Sequence, residues 1–270
     1  MSTPSSGTAA PALEAEQLRL AYGDHVVFSD LDLEIARGSV TTLIGANGSG
    51  KSTLLKAFGR LLAPASGRVR LYGSPLRGQS ARQIARQMAI LPQKPLTPQA
   101  TRVRELVSRG RHPHQSLLRT WRQSDTLAVN EALGVTGLSD LAERDAASLS
   151  GGQLQRAWIA VVLAQEAPVL LLDEPTTFLD LSHQLEVLRI VRRINRERGT
   201  TITMVLHDLS LAARFSDRLV AVHDGRVVAD GDPWSVLTPR VLRSAFALDA
   251  SVVADPQTST PLVVPRELSS

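Results

Sequence analysis

The run Gly45-Ala46-Asn47-Gly48-Ser49-Gly50-Lys51-Ser52 fits G-x-x-x-x-G-K-[ST] without a gap. A run of this kind folds in one context. A buried strand must deliver it and a helix must start from it, so it commits the chain to a strand–loop–helix unit. The flanks agree. Residues 39–44 are β-branched and apolar and predict the strand, and Leu54, Leu55, Ala57 and Phe58 predict the helix. Backbone N–H groups of the loop then converge at a helix N-terminus, where the partial positive charge suits a phosphate. Gly45, Gly48 and Gly50 let the backbone approach that phosphate without a Cβ in the way. Asn47 and Thr53 lie in the same cradle. Lys51 can reach the β- and γ-phosphate oxygens, and the Ser52 hydroxyl can ligate Mg2+. The ligand implied is a nucleoside triphosphate.

A second strand carries acids. Residues 169–172 are uniformly apolar, as a central parallel strand should be, and run into Asp173-Glu174-Pro175. Adjacent carboxyls straight after a buried run are poor packing residues. Asp173 is placed to hold the Mg2+ shell, and Glu174 is the candidate general base for an attacking water.

These residues resemble the ATP-binding-cassette (ABC) ATPases, and the resemblance runs through nearly the whole chain. Tyr22 stands where that family places an aromatic under the adenine ring. Gln93 matches the glutamine loop that senses Mg2+ and the γ-phosphate. Leu149-Ser150-Gly151-Gly152-Gln153 matches the signature, Asp180 the aspartate loop and His207 the switch histidine. The fold implied is α/β: a P-loop NTPase (RecA-like) core with an antiparallel β subdomain and an inserted α-helical subdomain. The core is expected over 14–96 and 161–248, the helical subdomain over 97–160 and a C-terminal hairpin over 249–265. Residues 1–13, rich in Ser, Thr, Ala and Pro, are expected to be disordered.

Ser150 is expected to cap a helix and make a second anion cradle. By resemblance that cradle faces out of the domain, so it grips only a phosphate presented by another molecule. Two copies related by a two-fold axis would each pair a phosphate loop with the other's signature, with Asp180 linking the two sites. Three stretches narrow the resemblance to ATPase subunits of iron(III)–siderophore importers: residues 110–114, 174–184 and 260–265. Cobalamin and haem importers are close relatives, and a soluble cassette ATPase without a transporter is a rival reading. The partners implied are a second copy, integral membrane permease subunits and, indirectly, a substrate-binding protein. Phe178 and Leu154 depart from the commoner family residues without removing a functional atom.

Composition excludes other classes. The chain of 270 residues has no cysteine, which removes disulfides, thiolate metal sites and cysteine catalysis. Its formal net charge is +4, and lysine occurs only at positions 51, 56 and 94. Arg189, Arg192, Arg193, Arg196 and Arg198 interleave with Leu188, Val191 and Ile194 at helical spacing. They read as a solvated helix face rather than a nucleic-acid patch. No apolar run approaches bilayer length, and the N-terminus has neither a basic nor an apolar leader region. The expected location is the cytoplasmic face of the cell membrane, with the pore formed by other chains.

Local patterns complete the reading. An antiparallel strand pair is expected to turn near Gly23-Asp24. A helix containing Val103, Leu106 and Val107 should stop at Gly110, and one over 127–133 should be capped by Ser124 or Asp125. A hairpin is expected about Asp224-Gly225.

Overall fold

The computed structural model describes residues 10–96, 99–115 and 121–266. Strand β1 (Leu13–Tyr22) turns at Gly23 and Asp24 into β2 (His25–Phe28), and β3 (Leu33–Ile35) pairs with the start of β1. Strand β4 (Val40–Ile44) leaves for a second sheet and feeds α1 (Lys51–Phe58). The chain then returns through β5 (Ser66–Leu71) and β6 (Ser74–Pro75), which complete the antiparallel sheet in the order β2-β1-β5-β6.

Helix α2 (Ala81–Ala85) and strand β7 (Met88–Leu91) lead into a helical block of α3 (Val103–Ser108), α4 (Gln123–Val135) and α5 (Gly151–Ala164). Alternation then resumes. Strand β8 (Val169–Asp173), helix α6 (Leu181–Arg198), strand β9 (Thr201–Val205) and helix α7 (Leu209–Phe215) follow in turn. A hairpin of β10 (Arg218–His223) and β11 (Arg226–Gly231) comes next. Helices α8 (Pro233–Val236) and α9 (Pro239–Phe246) precede a last hairpin of β12 (Ala250–Ala254) and β13 (Pro261–Pro265).

The larger sheet runs β11-β10-β4-β9-β8-β7, parallel from β10 to β7 with β11 antiparallel at its edge. Its central strands β4, β8 and β9 are buried throughout, which is why their sequences read as unbroken apolar or Thr-bearing runs. Strand parity divides the core. Leu170, Leu172, Ile202, Met204, Leu219 and Ala221 pack with helices α3 to α9. Val169, Leu171, Val205, Val220 and Val222 pack with α1 and the antiparallel sheet. Helix α1, through Leu54, Leu55 and Phe58, is therefore held from both sides, and its first residue is fixed at the C-terminal edge of the sheet. Ligands of open parallel sheets bind at that edge.

Several expectations need correction. Order begins before residue 14: Ala12 and Leu13 are buried, and the Ala12 N–H donates to Ile35 O at 2.8 Å. Residues 1–9 lie outside the described residues. Helix α3 ends at Ser108, two residues short of Gly110, and the chain runs on through Gly110 as a 3-10 turn over Arg109–His114. A Cβ there would lie 2.2 Å from the Val161 carbonyl oxygen, so glycine serves a close helix crossing. Helix α4 starts at Gln123, before either expected cap, and Asp125 sits in its first turn, accepting from Arg122 N–H at 3.0 Å. Asp125 is instead the buried partner of Arg111, 2.9 Å away. Helix α5 runs unbroken through residue 160, so the expected subdomain boundary at 160/161 falls inside a helix.

Candidate nucleotide site

The phosphate loop occupies residues 45–50, between β4 and α1. Gly50 at φ +105° makes the turn into α1, a conformation that favours glycine. Gly45 has a second reason: a Cβ there would stand 2.2 Å from Val222 O. A cavity of about 270 Å³ opens over this loop. Asn47, Gly48, Gly50, Lys51, Ser52 and Thr53 form its floor, and Tyr22 stands at its rim, 47 % exposed. An exposed ring beside a phosphate cradle suits stacking on a flat base.

Lys51 is buried, and its Nζ donates to Gly45 O at 2.9 Å and Ala46 O at 2.8 Å. Burial pushes its pKa down, while the nearby Glu174 and Asp173 charges push it back up. Ser52 Oγ donates to Asp173 Oδ1 at 2.7 Å, so loop and acidic strand end meet directly. Burial raises the Asp173 carboxyl above its ordinary range and Glu174 adds repulsion; the Ser52 hydrogen bond acts the other way. A hydroxyl beside a desolvated carboxylate that a second acid repels fits Mg2+. That ion takes hard oxygens and keeps much of its shell as water and substrate phosphate.

Three side chains converge on Glu174. His207 Nε2 lies 2.8 Å from Oε1. Gln93 Nε2 donates to Oε2 at 2.6 Å and Thr177 Oγ1 donates to Oε2 at 2.8 Å. Burial pushes the carboxyl up, but hydrogen bonds from His207, Thr177 and Gln93 outweigh it and hold the pKa below the usual range. Glu174 itself sits at φ +53°, outside the ordinary helix and strand regions. Strain of that kind persists where neighbours over-determine it. The strand ends of β7, β8 and β9 thus bring Gln93, Asp173, Glu174 and His207 together at one edge.

The signature is not part of this cavity. Ser150 caps α5: its Oγ accepts from Gln153 N–H at 3.3 Å, and Ser150 N–H donates to Gln153 Oε1 at 3.0 Å. Ser150 and Gly151 are exposed, whereas Gly152 is buried under the ring of His183. Asp180 caps α6, accepting from His183 N–H at 3.0 Å, Ser182 Oγ at 2.9 Å and His183 Nδ1 at 2.7 Å. These bonds lower its pKa to about 2. Gln155 Nε2 donates to Pro175 O at 2.7 Å. Signature helix, Asp180 and the loop that bears Glu174 are therefore tied together within one molecule, although only the last reaches the phosphate loop.

Sequence reasoning missed His25 and Val27, which line the cavity because β2 folds back beside Tyr22. It also missed Thr177, three residues after the acid it holds, and His183, which connects Asp180 to Gly152.

Comparison with known proteins points the same way. A family model described as ABC transporter matches residues 28–177. The achromobactin transport ATP-binding protein of Dickeya dadantii is 49% identical over 254 residues, 94% of each chain. The iron(3+)-hydroxamate import ATP-binding protein of Bacillus subtilis is 48% identical over 257 residues, 95% of this chain and 96% of its own. Among solved structures, an inward-facing metal-chelate type ABC transporter superposes with a TM-score of 0.82 at 27% identity. That match covers 94% of this chain and 97% of the other.

Proposed function

The chain belongs to the ABC transporter ATP-binding family, and from that membership we propose that it hydrolyses ATP to energise import of an iron(III)–siderophore complex. It works against integral membrane permease subunits at the cytoplasmic face of the cell membrane, paired with a second copy of itself. The cargo reading rests on identity of nearly one half, over almost the full chain, to siderophore-import ATPases. The paired arrangement rests on the exposed signature cap, which stands outside the cavity its own chain forms.

Tyr22 stacks on the base, and the loop N–H groups with Lys51 hold the phosphates. Lys51 exchanges the Gly45 and Ala46 carbonyls for phosphate oxygens, a like-for-better replacement for a desolvated ammonium. Mg2+, held by Ser52 and Asp173 with Gln93 as a further donor, would offset charge on the phosphates. Glu174 takes the proton of the attacking water. Its carboxyl, held below the usual range, is ionised at neutral pH, and His207 fixes its orientation and meets the γ-phosphate. Ser150, Gly151, Gly152 and Gln153 of the second copy close over that same γ-phosphate. Hydrolysis removes the shared ligand and the pair opens. Gln93, at the join between β7 and the helical block, passes that change to the permease-facing side.

Reconstitution with the permease pair from the same locus tests this reading. Binding proteins loaded with an iron–siderophore should stimulate ATP turnover severalfold, and those loaded with cobalamin or haem should not. Stimulation by cobalamin or haem alone would overturn the cargo. Equal turnover without any permease would overturn the transport role.

A further inference from the structure

A second cavity, of about 710 Å³, lies between α6, α7 and the turn of the β12–β13 hairpin and shares no residue with the nucleotide cavity. Arg189, Arg193 and Arg196 enter it from α6 and Arg214 from α7, with Thr258 and Thr260 opposite. Arg192 also faces it but is committed to a bidentate pair with Asp217.

The acids facing this space do not balance it. Asp217 is occupied by Arg192, and Glu197 lies 3.6 Å from Arg193. Asp255 feels Arg214 through space but spends its carboxylate on Gln257 and Thr258 N–H groups. Among the described residues, Arg189 and Arg196 make no hydrogen bond or close ion pair, although Arg196 acts on Asp217 through space.

Solvation of a helix face leaves the shared concave setting of these arginines unexplained. The α6 arginines follow i, i+3, i+4, i+7 spacing, which stacks like charges at repelling distance. The helix C-terminus stabilises a cation within its last turn, which covers Arg196. Arg189 lies about two turns before Arg196, beyond that reach. Guanidinium groups from two helices converge on one concavity and match the geometry of phosphate oxygens, while the facing Thr258 and Thr260 hydroxyls bond each other at 2.7 Å.

We infer that this cavity binds phosphate groups, two or more at once, carried by a soluble polyanion or by anionic lipid headgroups. The test uses full-length protein with its phosphate loop saturated by excess ADP. Inorganic triphosphate is titrated calorimetrically into wild type and into the Arg189→Gln/Arg193→Gln double variant. In parallel, both proteins are sedimented with phosphatidylglycerol-containing or pure phosphatidylcholine vesicles. One equivalent of triphosphate, bound at least tenfold more weakly by the variant, supports a soluble ligand. Binding to phosphatidylglycerol vesicles alone, lost at least tenfold in the variant, supports headgroups. Absence of both, or binding that the variant leaves unchanged, overturns the inference. ADP affinity reports that the variant is folded; should it not be, Arg214→Gln on the other wall serves in its place.

Discussion

Replacing Gly152 by alanine tests how the signature is tied to the rest of the chain. A Cβ built at Gly152 lies 2.4 Å from His183 Cδ2, 2.8 Å from Cγ and 3.0 Å from Nε2. Carbon atoms rest at about 3.5–4 Å, so the ring must withdraw by roughly 1 Å. The ring is a partly exposed side chain and can swing outward, but only by giving up the 2.7 Å contact between Nδ1 and Asp180 Oδ1. The added methyl therefore costs about one such hydrogen bond, roughly 1 kcal/mol, the low end of the range for overpacking. For a chain of this size that lowers Tm by about 2–4 °C for each kcal/mol. Removing the ring should relieve the clash. Gly152→Ala/His183→Ala should recover most of the loss in thermal unfolding, giving a clear coupling in the double-mutant cycle. ADP affinity should not change in any of the three variants, because neither residue lines the nucleotide cavity. A Gly152→Ala protein with unaltered Tm, or a double variant no more stable than the sum of the singles, would refute the contact.

Other outcomes follow from the same geometry. Glu174→Gln should keep ATP affinity within a few-fold while steady-state phosphate release falls by at least about 100-fold, the lower end for loss of a general base; normal turnover would remove Glu174 from that role. Gly110→Ala should destabilise the helical block by about 1–3 kcal/mol in urea unfolding, because its Cβ would meet backbone at Val161 O, 2.2 Å away, rather than a side chain that can rotate. Asp217 should confer acid sensitivity. Burial pushes its carboxyl up, but Arg192 and the Val40 N–H outweigh that and hold it below its ordinary 3.8. Its stabilisation is present above that ordinary value and is lost as pH falls through the depressed folded value. The Tm advantage of wild type over Asp217→Asn, full at pH 7, should then shrink progressively below about pH 4.

The parts of this fold that could be read in the chain are those whose signal is local. Strand β8 and its acids were legible because a strand buried on both faces leaves an unbroken apolar run. The cap at Ser150 was legible because Gln153 stands three residues on and completes a reciprocal pair. What was not legible depends on partners far along the chain. Gly110 looked like a helix terminator, and only the crossing of α5 gives it another purpose. Asp125 looked like a cap, and only a buried guanidinium from residue 111 makes it an ion-pair partner. His183 carries no motif of its own, and folding alone brings it to Gly152. Thr177 is local to Glu174, three residues on, but nothing in the sequence sets it apart from Thr176 beside it. The arginines of α6 have the spacing of a solvated face. Their concave setting appears only when α7 and the last hairpin pack beside them.

The claim that the site is completed by a second molecule is tested most directly by light scattering on Glu174→Gln protein with and without ATP. The mass should double when ATP is added and return to that of one chain when ATP is withdrawn. Adding Ser150→Arg to that background should abolish the doubling while each molecule still binds ATP. ATP-bound protein that stays monomeric, or a doubled mass that survives Ser150→Arg, would contradict the account.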